Sequence, residues 1–576
     1  MTDWHPRIPT SGEVSLGAIR DMLGKTGEIS MGDLYAPART QLPAGPSQAG
    51  TIPSSGVFSG QLSSVNAEPA NNDNCRMIES GQIDLDHFRG WSGMVRNHHE
   101  TVGPGITETS HPPPTHSRNN AFAGDMNYNS SYGTVVAIGS PYSQQEDDNG
   151  ISRSSAGMVA ISVKTANHSS GWGGSPTTED SCAWNTAAYI TANTGTSSNY
   201  VASGADFGSA VAIVQDYLIV GAPGENSNDG VVYIYKRDTS SNNVNKGWEN
   251  VTLQARFTSP YSNAQYGYAV DINEDGDGVV IGAPYVGNIG YVYISTRSGT
   301  TWASHTLLYG SGASGHYNGA TVQIYGSGTS SRVYFSKNYG PGYVYVYGLN
   351  NGGAWTNTDT FYANGGVNGD GAAHNGAFAI DKHGGTKIAL GVPYQDSTVD
   401  GYSANNNGEV QIWEATSSTA DDWSHVVSIT GCQDQANVGS PWLGYKVAMW
   451  DKMVVAAAPR LYQYHTGATN SQTAFGAIYV WDGSFLATGA DDNTDWESDS
   501  THAEKCIGIV TGHDGVDATN QYFGYDWVAI GGPAASGLAA HRMIAAGSMH
   551  HEHTVSSGNP NVGAAALFEV HYNADD

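Results

Sequence analysis

Short apolar runs separated by glycine and asparagine turns dominate the middle of the chain. One clear unit contains Val211–Ile213, Leu218–Val220 and Val231–Tyr235. Apolar runs of this length, bounded by turn residues and rich in valine, isoleucine and tyrosine, are typical of β-strands. The unit therefore predicts three consecutive antiparallel strands.

The same order of runs recurs seven times between about residues 120 and 573. A tryptophan follows the third run in most units and precedes a fourth β-prone run, as Trp302 precedes Thr306–Leu308. Four strands make a propeller blade, and blades must stack because one alone cannot bury its apolar faces. The pattern predicts an all-β fold: a seven-bladed propeller of four-stranded blades over residues 101–576.

The last unit ends at Tyr572–Asn573 with no fourth run after it. We expect a segment before the first unit, near Glu100–Thr109, to supply this strand and to close the ring. A Gly-Ala-Pro triplet ends the second run of two units, at 221–223 and 282–284. Its glycine is expected where neighbouring backbones approach closely, since glycine has no Cβ.

Two short motifs recur in register with the units. A Phe/Tyr–Gly pair stands at 207–208, 266–267 and 523–524, and a Gly-Ala-Pro triplet stands at 221–223 and 282–284. In these motifs the chain resembles the FG-GAP repeat family, the propeller of integrin α subunits. The resemblance implies a propeller that binds partners. The unit at 316–350 has lost both motifs, so its identity as a blade depends on spacing alone.

A smaller repeat occupies the first hundred residues, at Ser11–Arg20, Thr26–Leu34 and Ser80–Arg89. Each copy places a capping residue before apolar positions at helical spacing, which predicts short helices within a docking arm over residues 1–100. Residues 38–79 are rich in Pro, Ser, Gly and Asn and are interpreted as linker. The apolar positions expected to dock are Val14, Leu16, Ile19, Leu23, Ile29, Met31, Leu34, Ile83, Leu85 and Phe88.

The Ser-Gly-x-[Ile/Val]-Ser-[Leu/Met] pattern of this arm resembles the N-terminal docking segments of tailed-phage virion proteins. The resemblance implies attachment to a capsid or tail, with the propeller displayed outward. Helices this short are not stable alone in water, so they must dock on something. The alternative is an ordinary helical cap on the propeller.

The composition of the chain restricts the kinds of partner that the protein can bind. The formal net charge of −29 argues against nucleic acid, because phosphates require basic patches. No stretch reaches the roughly 20 apolar residues of a membrane helix, and the N-terminus lacks a signal-peptide pattern. We therefore expect that the protein does not insert into a membrane. With the phage resemblance of the arm, we expect it in the virion, assembled in the host cytoplasm; the alternative is an extracellular location.

One loop has the spacing of a calcium site. Asp271, Asn273, Asp275 and Asp277 offer oxygen ligands, with a turn glycine between the last two. The FG-GAP resemblance implies calcium in such a loop, but Val279 stands at the ninth position, where the family pattern has an acid. Calcium is therefore a candidate cofactor, and a plain acidic hairpin is the alternative.

The sequence favours binding over catalysis, because we find no repeated carboxylate pair, nucleophile elbow or nucleophile–base spacing. The first hypothesis is a phage virion protein, a tail or capsid appendage. Its arm would contact other virion proteins, and its propeller loops would bind a host-surface glycan or protein. A homo-oligomer is compatible with this hypothesis. The alternatives are a cellular integrin-like adhesion or matrix protein and a propeller glycoside hydrolase.

Overall fold

The computed structural model describes residues 93–102 and much of residues 122–572. Between these limits it leaves out 103–121, 165–183, 193–201, 431–441, 464–472, 483–505, 512–521, 532–541 and 549–563, with shorter gaps elsewhere. The ten docking positions predicted in the first hundred residues lie outside the described part of the chain.

Antiparallel sheets, numbered here by the position of their inner strand along the chain, make up the fold. The first sheet contains Ala123–Asn129, Gly133–Ser140, Met158–Lys164 and Trp184–Ile190, and the second contains Ala210–Val214, Tyr217–Ala222, Val231–Lys236 and Thr252–Thr258. The third contains Ala269–Ile272, Gly278–Ala283, Tyr291–Ser298, Thr301–Trp302 and Thr306–Tyr309, and the fourth contains Val322–Tyr325, Arg332–Lys337, Tyr343–Leu349 and Trp355–Tyr362. The fifth contains Phe378–Ile380, Lys387–Val392, Glu409–Glu414 and Ser424–Thr430, the sixth contains Val447–Trp450, Met453–Ala458, Ala477–Asp482 and Cys506–Thr511, and the seventh contains Trp527–Gly531, Arg542–Ser548, Ala564–Tyr572 and Gly93–Val102.

Loop elements are short. Three two-stranded ribbons pair Gln145–Glu146 with Ser152–Arg153, Ser397–Val399 with Tyr402–Ala404, and Tyr462–Gln463 with Thr473–Ala474. The helices among the described residues are Glu225–Asn228, Val244–Glu249 and the 3-10 turns Val286–Asn288 and Gly328–Ser330. None of these helices is long and apolar enough to cross a membrane.

The predicted all-β propeller is confirmed, with a difference in its blades. Six sheets are four-stranded, where seven were predicted, and the third sheet has five strands. Its extra strand, Thr301–Trp302, forms a short hairpin with the end of Tyr291–Ser298. The fourth sheet forms although its repeat lost both motifs, because the strand spacing alone sufficed.

Neighbouring sheets pack face to face around a ring. The innermost strand of each sheet contacts that of the next, and the seventh contacts the first. The apolar core therefore lies between sheets: Ile161 of the first packs with Val220 of the second, and Val136 of the first with Ala545 of the seventh. A single blade would expose both of these faces to water.

The last sheet takes its outer strand from before the first unit. Gly93–Val102 pairs antiparallel with Ala564–Tyr572 and is the outermost strand of the seventh sheet. It begins earlier than the expected Glu100–Thr109 segment and overlaps it only at residues 100–102. The register runs from Gly93 opposite Tyr572 to Val102 opposite Ala564, so this earlier segment pairs along the whole length of the partner strand.

The glycine of each triplet allows close approach between sheets, as predicted. A Cβ on Gly221 would lie 2.0 Å from the carbonyl oxygen of Gly267, and one on Gly282 would lie 2.0 Å from that of Gly319. Gly267 itself has φ +87°, a conformation that favours glycine. The two motifs of the repeat therefore meet at the interface between neighbouring sheets.

Candidate binding site at the axis of the propeller

The inner strands surround a cavity of about 880 Å³ on the axis, the axial cavity. In each sheet the first two strands form a hairpin, so the start of the first and the end of the second lie at the same end. The Phe/Tyr–Gly and Gly-Ala-Pro motifs therefore share one end of the cavity. The end of the first strand and the start of the second share the other, which we call the turn end.

Aromatic side chains gather at the motif end. We call this group the aromatic mouth, and it consists of Tyr142, Tyr268, Tyr285, Tyr317, Tyr394, Trp442, Tyr445 and Tyr525. Tyr445 stacks on Tyr525 with ring centroids 4.7 Å apart, and Tyr268 meets Tyr285 edge-on at 5.8 Å. Tyr142 and Tyr285 remain 37% and 38% exposed, so the mouth presents open rings to solvent.

Two repeat positions supply most of these rings. Tyr268, Tyr445 and Tyr525 each follow the glycine that opens a unit. Tyr142, Tyr285 and Tyr394 each follow the proline that ends the second strand. Sequence reasoning missed the mouth because it assigned the tyrosines mainly to strands. The recurrent Pro-Tyr and Gly-Tyr pairs were the signal that could have revealed it.

Charged groups stand beside the rings. Burial raises the pKa of Asp206 to about 6, and its carboxylate makes no hydrogen bond or ion pair within the part of the chain that the structure describes. Burial lowers the pKa of Lys446 to about 8, although Asp526 counteracts this effect. The ammonium of Lys446 lies 5.8 Å from the ring centroid of Tyr445. The mouth thus combines aromatic faces with a cation and an acceptor that has no partner among the described residues.

Farther along the axis, side chains bond the free inner edge of the next sheet. Asp125 Oδ2 accepts a hydrogen bond from the backbone N–H of Ile213 at 2.8 Å. Asp271 Oδ2 accepts from Ile324 in the same way at 2.8 Å. The strand registers place Asp125 and Asp271 at equivalent positions of the first and third sheets. These carboxylates satisfy edge donors that the sheet leaves unpaired.

Glu274 and Lys382 also make hydrogen bonds at the turn end, although the buried Glu274 Oε1 has no hydrogen-bond partner among the described residues. Glu274 Oε2 accepts from the backbone N–H of Gly326 at 3.0 Å. The ammonium of Lys382 donates to Asp271 Oδ2 at 2.5 Å and to the carbonyl oxygen of Ile324 at 2.9 Å. Burial raises the pKa of Glu274 to about 7, against the nearby positive charge of Lys382.

The four predicted calcium ligands do not converge on one point. Asn273 Oδ1 already accepts two backbone hydrogen bonds, from Asp277 and Gly278, and its amide donates to Asp277 Oδ1 at 2.6 Å. Asp271 points to the neighbouring sheet, and Asp275 is exposed. A calcium ion needs six or more oxygen ligands, and oxygens of Asp271, Asn273 and Asp277 are already engaged in these hydrogen bonds. The arrangement is that of a hydrogen-bonded acidic hairpin and does not fit calcium.

Comparison with known families agrees with this geometry. Residues 184–235 match the FG-GAP repeat family. The matched segment runs from the outer strand of the first sheet through the third strand of the second, and it includes Phe207–Gly208 and the triplet at 221–223. No curated protein matches the chain. A propeller with FG-GAP motifs fits a binding or adhesion-type role.

Proposed function

We propose that this protein is a bacteriophage virion appendage that binds a host-surface glycan through its aromatic mouth and does not catalyse a reaction. The observation that carries the binding part is the mouth itself. It joins rings from several sheets around the open end of the axial cavity. Ligand sites favour concave, aromatic surfaces with a few convergent polar groups.

The chemistry of the mouth suits a sugar. Aromatic faces stack on the apolar faces of sugar rings, and carboxylates accept hydrogen bonds from hydroxyl groups. Tyr142 and Tyr285 supply exposed rings, and Asp206 supplies a carboxylate without a partner among the described residues. A peptide loop of a host protein could use the same rings, and the binding test separates the two ligands.

The position of Gly93, the first described residue, supports display of the mouth on a particle. Gly93, where the described chain enters the propeller, lies on the outer edge of the seventh sheet opposite Tyr572. Val102 pairs with Ala564 at the motif end, so Gly93 lies at the turn end. An arm leaving from Gly93 starts at the end away from the mouth. Docking positions such as Leu16 and Ile83 precede it in sequence.

Binding is tested with the full chain on a glycan array that also carries peptides. We expect a defined glycan class to bind, and Tyr142→Ala combined with Tyr285→Ala to weaken binding about tenfold or more. The matched control is Tyr362→Ala, which removes a 51% exposed tyrosine on the outer strand of the fourth sheet. Binding to peptides alone, equal loss in the control, or cleavage of the bound glycan would each contradict the proposal.

Attachment is tested on particles. A labelled copy of the chain is expected on phage particles, and deletion of residues 1–92 is expected to prevent its incorporation. This deletion leaves the strand Gly93–Val102 in place. The alternative is an extracellular adhesion protein, which the FG-GAP match itself favours. Absence of the chain from purified particles, together with its recovery from a cell surface, would favour that alternative.

We infer further that the third, five-stranded sheet serves as the seventh blade of the ring. Four of its strands follow the order of the other sheets, and Thr301–Trp302 is an addition at one end. Its inner strand contacts those of the second and fourth sheets. An electron-microscopy map viewed along the axis is expected to show seven blades; six would overturn the count.

A further inference from the structure

At the motif end of the axial cavity, one backbone position of the repeat adopts a left-handed conformation in sheet after sheet. Among the described residues it occurs in five sheets, each time two residues before the glycine that opens the unit. We call these residues the left-handed positions, and their φ angles lie between +46° and +60°. They are Asp206, Gln265, Tyr317, Trp442 and Tyr522.

Backbone hydrogen bonds between neighbouring sheets impose this conformation. The N–H of Asp206 donates to the carbonyl oxygen of Ser155 in the first sheet's loop at 3.0 Å, and its own carbonyl oxygen accepts from Ser209 at 3.1 Å. Gln265 repeats the first bond by donating to the carbonyl oxygen of Asn228 at 2.9 Å. The conformation is therefore set by how the sheets pack and not by the side chain at the position.

Glycine adopts a left-handed conformation without strain, yet none of the five positions carries it. In any other residue the conformation destabilises the fold, because Cβ crowds the following carbonyl oxygen. Aspartate and asparagine tolerate it best, and of the five only Asp206 belongs to that group. The side chains are therefore present in spite of a loss of stability, which indicates that they have another use.

Burial separates each left-handed position from the residue that follows it. All five left-handed positions are partly exposed. The next residues along the chain are completely buried, and they are Phe207, Tyr266, Asn318, Leu443 and Phe523. The buried residue anchors each turn, so the side chain before it is not needed to hold the sheets together.

The chemistry of the left-handed positions divides the mouth into two arcs. Asp206 and Gln265, on the neighbouring second and third sheets, line the cavity, and their side chains make no hydrogen bond to any other described residue. We call this pair the polar arc. Tyr317, Trp442 and Tyr522 instead lie against rings of the aromatic mouth, at centroid distances of 5.5 Å, 5.7 Å and 6.0 Å.

We propose that the left-handed positions determine which glycan the mouth accepts, an inference that rests on the proposed function. Asp206 and Gln265 bond hydroxyl or acetamido groups, while Tyr317, Trp442 and Tyr522 pack on the apolar faces of the sugar rings. The packed sheets fix the backbone of each position before a ligand arrives, so less conformational entropy is lost on binding. Because the polar arc carries a carboxylate, it favours neutral sugars over acidic ones.

The test is the double variant Asp206→Gly and Gln265→Gly of the full chain, measured on a glycan array and by thermal unfolding. It should bind its neutral glycan about tenfold more weakly than wild type. Its melting temperature should be equal or higher, because glycine relieves the strain. Gln215→Gly is the matched control, since Gln215 has the same φ as Gln265, +48°, but lies at the turn end, where its amide donates to the carbonyl oxygen of Glu274 at 2.9 Å. This control should melt at a lower temperature and bind as wild type does.

The outcomes distinguish this inference from the proposed function. A wild type that binds no glycan would overturn the proposed function, and the inference with it. Three results would overturn the inference alone: wild-type glycan binding that the double variant leaves unchanged, a preference of wild type for acidic glycans, or a double variant that melts more than about 2 °C below wild type. The last result would show that the two side chains stabilise the fold.

Discussion

The two ends of the axial cavity are built from the same repeats but differ in how their polar and aromatic groups are used. At the turn end, Asp271, Asn273 and Lys382 bond to backbone groups or to one another across neighbouring sheets. At the mouth, Tyr142 and Tyr285 are more than a third exposed, and Asp206 has no hydrogen-bond partner among the described residues.

This difference separates structure from function within one cavity. Groups that satisfy each other stabilise the ring and have little left to offer a ligand. Polar groups and aromatic rings that are held in place but lack hydrogen-bond or packing partners within the protein can contact a ligand, and a binding site requires such groups. Substitutions at the turn end should therefore change stability, and substitutions at the mouth should change binding.

Both ends depend on a closed ring, so the largest effect is expected from opening it. Deletion of residues 1–102 removes the outer strand of the seventh sheet and exposes the edge of Ala564–Tyr572. The loss of this ladder should cost on the order of 5 kcal/mol, measured by chemical unfolding. Deletion of residues 1–92 is the control, because it keeps the strand. Equal stability of the two deletions would show that the strand does not close the ring.

A smaller loss is expected from breaking the turn end alone. Asp271→Ala leaves the ammonium of Lys382 and the N–H of Ile324 without their shared acceptor. The free energy of unfolding should fall by about 3 kcal/mol, while ligand binding at the mouth is unchanged. Asp275→Ala, at an exposed position of the same loop, should change it by less than about 0.5 kcal/mol. Similar losses in both variants would refute the special role of Asp271.

The smallest expected effect is a dependence of folding stability on pH. Burial raises the pKa of Asp125 to about 6, against a hydrogen bond from Ile213 that lowers it. In the unfolded chain an aspartate has a pKa of about 3.9, so the folded protein binds this proton more tightly. Its contribution to stability is therefore lost as the pH rises from about 4 through 6.

Asp125→Asn removes this titration. Between pH 5 and pH 7 the variant should lose about 1 kcal/mol less stability than wild type, after allowance for solvent screening. Urea unfolding at both pH values measures the difference, with Asp275→Asn as the exposed control. A variant whose stability follows the same pH profile as wild type would show that Asp125 does not titrate in this range.

Much of the fold could be predicted because strand periodicity and turn residues act locally. The run Val231–Tyr235 indicated a strand, and the fourth sheet formed from spacing alone after losing its motifs. The calcium prediction for Asp271–Asp277 used local spacing as well. It did not anticipate that Asn273 would bond its own loop and that Lys382, more than a hundred residues away, would reach Asp271.

The sequence by itself determined the repeat, the strands and the need for them to stack, since an isolated blade cannot bury its apolar faces. Only the tertiary structure decided which side chains meet on the axis. Closing the ring brings together residues from distant repeats, as with Tyr445 and Tyr525 at the mouth and Asp271 and Lys382 at the turn end. Their partners depend on sheet order and register, which no local pattern encodes.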